Sequence, residues 1–297
     1  MTTGVLLMAY GTPHDRDDVE AYYTDLRRGR PPTPEQLADL VARYDAIGGT
    51  FPLRAATEQQ AEALAAALNE LAPGDYVVEI GTRHSTPRIA DGVSALVAKG
   101  ATRLVGLVLA PHYSRMSIGA YADLAAKASA EHGVDIDVIE SWHLLASYVE
   151  FLADAVSEAL TSVPDDSEVV FTAHSLPERI LETGDPYPTQ LQDTANAVAV
   201  RLGLSKWSVG WQSAGRTPEP WLGPDVLDIL RNRSGHTAPG LVICPCGFVA
   251  DHLEVAYDLD IEAAALAADL DVPFARTATV GTDRRVIAAL AQLIVER

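Results

Sequence analysis

The chain has 297 residues, of which 48% are hydrophobic and 21% charged, an ordinary globular composition that can bury a substantial core. Its formal net charge of −19 argues against a nucleic-acid partner, because binding to phosphate backbones needs a basic surface. The sequence shows neither the pattern of a signal peptide nor an apolar run of roughly 20 residues, so we expect a cytoplasmic protein without a transmembrane segment.

Short apolar runs alternate with amphipathic segments along the whole chain. The runs that predict buried strands are, in chain order, residues 5–9, 76–80, 103–109, 136–140, 168–173, 208–212 and 241–245. The helical patterns among them include residues 88–99, 120–132, 148–161, 188–202 and 224–233. Alternation of this kind is typical of parallel sheets covered by helices.

The predicted strands fall into two groups, with a break near residues 142–147. We therefore predict an α/β fold with two doubly wound, Rossmann-like domains, each a four-stranded parallel sheet flanked by helices, and a cleft between the domains. The predicted domains are residues 1–145 and 146–297, and we expect the last helix, residues 282–297, to pack back on the first domain. In such folds, ligands bind at the carboxyl ends of the strands.

An acidic segment follows the last predicted strand. Residues 247–262 predict a strand end, a turn and a helix, on which Glu254, Asp258 and Glu262 are four residues apart and so share one face. Three like charges on one face repel one another unless a cation or an arginine lies among them. Oxygen ligands in a line suit a hydrated divalent cation. The alternative is a solvated acidic face of an acidic protein.

Polar side chains also follow other predicted strands. His174 comes directly after residues 168–173, where a neutral imidazole can accept a proton or bind a metal, or can simply hydrogen-bond a neighbouring strand end. Tyr10 precedes a glycine turn that lacks the three-glycine fingerprint and the phosphate-binding lysine, so we reject nucleotide binding. His112 follows residues 103–109 and fits a structural role as well as a site role.

A few basic residues stand out in this acidic chain. Arg27 lies in a basic run at residues 27–30, and Arg43 with Tyr44 precedes a Gly-Gly loop at residues 48–49. Arginine binds carboxylates through two parallel hydrogen bonds, so these residues predict a ligand with carboxylates at its rim. The run at 27–30 also suits a helix C-terminus favoured by the helix dipole.

Seven segments of the chain resemble the ferrochelatase family in their order and spacing. They are YGTP at 10–13, RYDAIGG at 43–49, LAPHYS at 109–114, AHSLP at 173–177, GDPYP at 184–188, VGWQS with PWLGPD at 209–225, and GFVADHLE at 247–254. The likeness is greatest to the monomeric bacterial members that act on coproporphyrin III. The resemblance implies a lyase of haem biosynthesis that inserts Fe2+, its substrate, into coproporphyrin III to form Fe-coproporphyrin III.

The resemblance also implies residue roles. His174 and Glu254 match the catalytic pair that binds Fe2+ and takes the pyrrole protons, and Asp258 and Glu262 match an acidic line that leads to an outer cation site. The positions that match porphyrin contacts are Tyr10, Arg27, Arg43, Tyr44 and Tyr121. We expect a monomer, and a downstream haem-pathway enzyme as the acceptor of the product.

Two features depart from the family pattern. Phe51, after Thr50, stands where relatives carry a serine that bonds a porphyrin propionate, so Thr50 is left as the candidate donor there. Some relatives hold a [2Fe–2S] cluster on four cysteines, whereas this chain has only Cys244 and Cys246, so we expect no cluster and no tightly bound cofactor.

The sequence leaves three other functions open. A protoporphyrin IX ferrochelatase would use the same site residues. A non-catalytic porphyrin or haem carrier would need Tyr10 but would gain nothing from a His174–Glu254 pair. A cobalt or nickel chelatase for another tetrapyrrole would be expected to cluster histidines, whereas here one histidine is matched with acids.

Overall fold

The computed structural model describes residues 2–215, 217–233 and 240–297. The strands are β1 (Thr2–Ala9), β2 (Tyr76–Thr82), β3 (Ala101–Val108), β4 (Ile136–Ile139), β5 (Glu168–His174), β6 (Trp207–Gln212), β7 (Leu241–Cys244) and β8 (Phe274–Arg276). The α-helices are α1 (Val19–Leu26), α2 (Pro34–Ala46), α3 (Pro52–Leu71), α4 (Ile89–Ala98), α5 (Ile118–Glu131), α6 (Ala146–Leu160), α7 (Tyr187–Leu202), α8 (Val226–Arg231), α9 (Leu253–Ala256), α10 (Ala264–Asp269) and α11 (Arg284–Val295). A 3₁₀-helix (Glu178–Thr183) and a π-helix (Asp258–Ala263) complete the described elements.

The strands form two four-stranded sheets with the orders β2-β1-β3-β4 and β6-β5-β7-β8, and every strand pair is parallel. The predicted α/β class with two parallel four-stranded sheets is therefore confirmed. Each of the seven predicted strands is present. The eighth, β8, was missed because three residues directly after Pro273 are too few to show a strand pattern.

The chain divides into two compact units. The first unit contains Met1–Ala110, Arg115–Ser141 and Gly281–Arg297, and the second contains Pro111–Ser114 and Trp142–Val280. One sheet lies in each unit. Within the first unit, α11 packs on α3, and the side-chain amide of Gln60 on α3 donates to the backbone oxygen of Gly281 at 2.8 Å.

Each sheet is covered on both faces, so its central strand is apolar on both sides. In β1 the run Val5, Leu6, Leu7 and Met8 is fully buried, and so are Val169, Val170 and Phe171 of β5. This continuous apolar pattern distinguishes the central strands in the sequence. The polar residue at the carboxyl end of each central strand lies at the boundary of the core.

None of the helices in the described part of the chain is long and apolar enough to cross a membrane.

Candidate active site

The carboxyl ends of β5, β6 and β7 meet at one edge of the second sheet, because the three strands are parallel. β5 ends at His174 and β6 at Gln212, and the loop after β7 returns across this edge. The backbone NH of Gly247 in that loop donates to the carbonyl of Thr172 at 2.9 Å. This edge therefore collects the segments that the sequence predicts to carry the site.

The loop after β7 can approach β5 this closely only because residue 247 is glycine. A Cβ atom at Gly247 would lie 2.4 Å from the Cβ of Ala173 and 2.7 Å from its Cα, well inside van der Waals contact. The hydroxyl of Tyr148, on α6, donates to the carbonyl of Cys246 and so fixes the same loop at the preceding residue. The chain that continues to Glu254 is thereby fixed beside the end of β5.

His174 and Glu254 form a direct pair across 80 positions of sequence. The Nδ1 atom of His174 lies 2.9 Å from Oε2 of Glu254, and about a third of each side chain is exposed, 35% and 34%. The hydroxyl of Tyr187 donates to the backbone oxygen of His174 at 3.0 Å. The two residues that the sequence places after different strands thus share one hydrogen bond.

The charges of this pair stabilise each other. Burial lowers the pKa of His174, but the attraction of Glu254, their hydrogen bond and the charge of Asp258 together raise it above its ordinary value. Burial has the opposite effect on a carboxylic acid and raises the pKa of Glu254. The nearby His174 and His252 together lower this pKa by more, so it is held well below its usual range. The pair therefore favours a carboxylate and a protonated imidazole, and it titrates as one unit.

Glu254 has further partners that the sequence did not single out. The side-chain amide of Gln212 donates to its backbone oxygen at 2.7 Å, and Gln212 itself accepts from the hydroxyl of Thr172 at 2.9 Å. His252 places Nε2 3.7 Å from Oε2 of Glu254, and its Nδ1 lies 3.2 Å from the carbonyl of Ala250. Because a carbonyl only accepts, Nδ1 of His252 carries a proton.

The acidic segment is not the continuous α-helix that the four-residue spacing predicts. Helix α9 ends at Ala256, and a π-helix follows from Asp258 to Ala263, where the NH of Glu262 donates to the carbonyl of Tyr257 at 2.9 Å. A hydrogen bond that spans five residues inserts one extra residue into the turn. The α-helical repeat that puts Glu254, Asp258 and Glu262 on one face therefore does not hold through this segment.

The acids of the π-helix face different partners. Asp258 is 7% exposed and accepts a hydrogen bond from the hydroxyl of Ser213, whose φ of 60° is unusual for a residue other than glycine. Glu262 is half-buried, and its charge helps to raise the pKa of Asp225, which burial raises most. Across residues 2–215, 217–233 and 240–297, no three His, Cys, Asp or Glu side chains lie close enough together to hold a metal ion.

His112 has a different environment from His174. It is 2% exposed, its Nε2 lies 2.9 Å from the hydroxyl of Thr194, and its Nδ1 has no hydrogen-bond partner within the described residues. Burial, with a smaller contribution from His143, lowers the pKa of His112 to about 3. His112 is therefore neutral near pH 7 and lies in the core of the second unit.

Tyr10 and Tyr121 are neighbours in the first unit. Tyr10 follows β1, is 43% exposed, and its ring centroid lies 4.7 Å from that of His84, whose Nδ1 is 2.7 Å from a carboxylate oxygen of Asp25. Tyr121 is buried beneath the guanidinium of Arg83, 5.7 Å from its ring centroid. Burial, with the nearby Tyr10 phenol adding to it, raises the pKa of Tyr121 well above its ordinary range.

The remaining predicted porphyrin contacts lie directly after α1 and on α2. Arg27 lies over the ring of Tyr23 at 5.7 Å, and its Nε donates to the carbonyl of Arg30 at 3.2 Å. Arg43 forms an ion pair with Asp39 one turn earlier, at 3.4 Å. Tyr44 is buried, and its ring lies 4.5 Å from that of Phe51.

Thr50 and Phe51, the two residues that depart from the family pattern, have partners within the first unit. The hydroxyl of Thr50 donates to the carbonyl of Ile47 at 3.1 Å, and Phe51 stacks on Tyr44. Cys244 and Cys246, the two cysteines of the sequence, are buried free thiols. Burial, with the neighbouring Cys244 adding to it, raises the pKa of Cys246 well above its ordinary value, as expected for an unreactive thiol.

Solved structures share this fold. SirB from Bacillus subtilis with Fe3+ superimposes with a TM-score of 0.62 at 14% identity, over 100% of this chain and 95% of that chain. CbiX, described as the terminal enzyme for biosynthesis of siroheme in denitrifying bacteria, gives a TM-score of 0.55 at 16% identity, over 99% and 98% of the two chains. The architecture is therefore that of known chelatase structures.

Sequence comparison identifies the family. The ferrochelatase family model matches residues 2–297. A coproporphyrin III ferrochelatase of Geobacillus kaustophilus (strain HTA426) is 44% identical over 306 residues, covering 100% of this chain and 96% of the relative. The protein of the same name from Bacillus subtilis (strain 168) is 44% identical over 304 residues, covering 99% and 97%. The chain belongs to the ferrochelatase family, and the protein is accordingly an enzyme of the lyase class.

Proposed function

We propose that this protein inserts Fe2+ into coproporphyrin III and so forms Fe-coproporphyrin III for haem biosynthesis. The relatives named coproporphyrin III ferrochelatase, 44% identical over nearly their whole length, support this substrate. The observation on this chain that carries the proposal is the His174–Glu254 pair, joined at 2.9 Å at the carboxyl edge of the second sheet. A carrier protein would gain nothing from such an acid–base pair.

Insertion exchanges two pyrrole protons for one Fe2+, so the site needs an anionic ligand beside a proton acceptor that releases the first proton to water before it takes the second. Glu254 supplies the anion, because its depressed pKa keeps it ionised. His174 supplies the acceptor after its resting proton has left, because only a neutral imidazole can take a proton or bind a cation. The raised pKa of His174 means that this first deprotonation requires a higher pH than for a free histidine.

Asp258 and Glu262 are proposed to bind Fe2+ on its way to the pair. Carboxylate oxygens suit a hydrated divalent cation, and the hydroxyl of Ser213 holds Asp258 in one orientation. The charge of Asp258 also acts on His174, since it contributes to the raised pKa of that imidazole. A cation near Asp258 would offset this charge and so favour loss of the His174 proton.

The porphyrin contacts are proposed for Tyr10, Arg27, Arg43, Tyr44 and Tyr121. Guanidinium groups of Arg27 and Arg43 would bind propionates, which are carboxylates. The exposed ring of Tyr10 would lie against the macrocycle and offer its phenol oxygen to the iron of the product. We further propose that a downstream haem-pathway enzyme takes this product, whose propionates remain free to be recognised.

The test is anaerobic turnover with Fe2+ and either coproporphyrin III or protoporphyrin IX, followed by the absorption change of metal insertion. We expect faster turnover with coproporphyrin III, because it offers four carboxylates to the arginines. Faster turnover with protoporphyrin IX would assign the other porphyrin. Tight porphyrin binding without insertion would assign a carrier, and insertion of only Co2+ or Ni2+ would assign another chelatase.

A further inference from the structure

Arg276 joins the two ends of the segment that carries Glu254 and Asp258. It is the last residue of β8, and its Nε and Nη2 donate to the two carboxylate oxygens of Asp260 at 2.7 and 2.8 Å. On its other side, Nη1 and Nη2 donate to the carboxylate of Asp251 at 3.2 and 3.3 Å. We name Arg276, Asp251 and Asp260 the arginine clamp.

The carboxylates of the clamp flank the proposed metal site in sequence. Asp251 lies three residues before Glu254, in the loop that leads into α9, and Asp260 lies two residues after Asp258, in the π-helix. One guanidinium therefore spans the loop, α9 and the start of the π-helix. A movement of the loop relative to the π-helix must therefore break at least one of its hydrogen bonds, and α9 lies between these two attachment points.

The clamp itself is held by the edge of the second sheet. Arg276 is paired with Ile243 of β7, and the NH of Thr277 donates to the carbonyl of Ile243 at 2.9 Å. The hydroxyl of Thr279 donates to Asp251 at 3.0 Å. The Arg276 side chain is 19% exposed, whereas the side chains of Asp251 and Asp260 are 47% and 41% exposed, so the guanidinium is shielded from water on one side and its partners are not.

We propose that Arg276 is a positioning residue that sets the placement of Glu254 and Asp258 for binding Fe2+. It acts through Asp251 and Asp260, which face the guanidinium, whereas Glu254 faces His174 and Asp258 faces Ser213. The inference rests on the proposed function, because it assigns a supporting residue to the same site. A planar guanidinium can bond two carboxylates at fixed angles, which a lysine ammonium cannot do.

A purely electrostatic role for Arg276 predicts the opposite result. A positive charge near carboxylates that take up Fe2+ repels the cation, so its removal alone would strengthen Fe2+ uptake. Loss of a positioning contact instead weakens uptake, and loss of residues that orient metal ligands commonly costs roughly 10- to 100-fold in metal affinity or activity. The direction of the change therefore separates the two roles.

The experiment measures the apparent KM for Fe2+ and the Kd for coproporphyrin III in Arg276→Met and Arg276→Lys. We expect Arg276→Met to raise the KM about tenfold with the porphyrin Kd unchanged, and Arg276→Lys to leave most of that loss in place. The matched control is Arg201→Met, which removes an exposed ion pair with Glu150 on α6 and α7 of the same unit. An unchanged or lower KM in Arg276→Met, or wild-type behaviour of Arg276→Lys, would overturn the proposal.

Two further measurements keep the test decisive. In the double variant Arg276→Met/Asp260→Asn, positioning predicts no rescue, because both changes break the same contact, whereas a charge effect predicts return toward the wild type. Anaerobic calorimetry of the porphyrin-free protein gives the Kd for Fe2+ and ranks the variants by this affinity, without turnover. If the wild type binds Fe2+ but inserts none, the proposed function fails while the ranking still decides the role of Arg276.

Discussion

The two sheets share one strand order but carry different chemistry at their carboxyl ends. β1 and β5 occupy the same place in the orders β2-β1-β3-β4 and β6-β5-β7-β8. β1 is followed by Tyr10, whose neighbour is the ring of His84, whereas β5 ends at His174, whose neighbour is the carboxylate of Glu254. The comparison shows that the side chains at the strand ends, and not the topology, decide what each sheet can do.

The difference extends to the charges around each edge. In the first unit, Tyr121 lies under the guanidinium of Arg83, Arg27 directly follows α1, and Arg43 lies on α2. In the second unit, Glu254 and Asp258 supply negative charge beside His174. We therefore expect the first unit to determine how tightly the porphyrin is held, and the second to determine proton and metal transfer.

The largest expected effect comes from His174→Ala. It removes the proposed proton acceptor of the second unit, and loss of a positioned acid–base group commonly costs about 10²- to 10⁴-fold in rate. We expect kcat for Fe2+ insertion to decrease by a factor in that range. Coproporphyrin III should still bind, which quenching of porphyrin fluorescence measures. Tyr10→Phe, at the equivalent strand end of the first unit, should keep most of the turnover. Equal losses of kcat in the two variants would contradict the expected division of roles, in which the first unit binds the porphyrin and the second transfers protons and metal.

Much of this arrangement follows from the sequence. Seven strands, their parallel arrangement in two sheets and the position of His174 at a strand end can be predicted, because buried parallel strands are continuously apolar and end at polar residues. The resemblance to ferrochelatases then matches His174 with Glu254. What the sequence spacing does not contain is the 2.9 Å contact itself, because the two residues are 80 positions apart.

The misses have identifiable physical causes. The π-helix depends on one extra residue in a turn, and its acids are held by Ser213 and Arg276, which are distant in sequence, so a four-residue spacing alone predicts a regular helix. β8, which supplies Arg276, is too short to show a pattern. His252 lies within the GFVADHLE segment at 247–254, but the carbonyl of Ala250 beside its ring, which indicates that Nδ1 carries the proton, is a feature of the folded chain.

Two histidines of the second unit offer a finer comparison. His174 has a carboxylate partner and a raised pKa, whereas His112 has the hydroxyl of Thr194 as its hydrogen-bond partner and a pKa lowered to about 3 by burial. Since His112 has an ordinary pKa of 6.5 once unfolded, the unfolded state binds more protons between pH 6.5 and pH 3. Its contribution to stability is therefore full above pH 6.5 and is lost as the pH falls through that window.

This loss predicts a measurable effect of His112→Gln. At pH 5 the linkage amounts to about 2 kcal/mol, from roughly 1.4 kcal/mol per pH unit. Urea unfolding of the wild type and the variant at pH 7 and pH 5 should show that the variant loses about 2 kcal/mol less on acidification. His14→Gln, at an exposed position, is the control. The same acid sensitivity in wild type and His112→Gln would mean that His112 takes up its proton in the folded state.

The smallest expected effect is on porphyrin binding by the first unit. Arg43 is an accessible cation that already pairs with Asp39, so its bond to a propionate would resemble a surface ion pair. Such pairs contribute up to about 1 kcal/mol, so Arg43→Ala should raise the Kd for coproporphyrin III about fivefold, with a smaller change for the two-propionate protoporphyrin IX. Arg103→Ala, at the amino end of β3, is the matched control because it lies away from the carboxyl edge. A fall in kcat without a change in Kd would instead place Arg43 in the chemistry that we propose for His174 and Glu254.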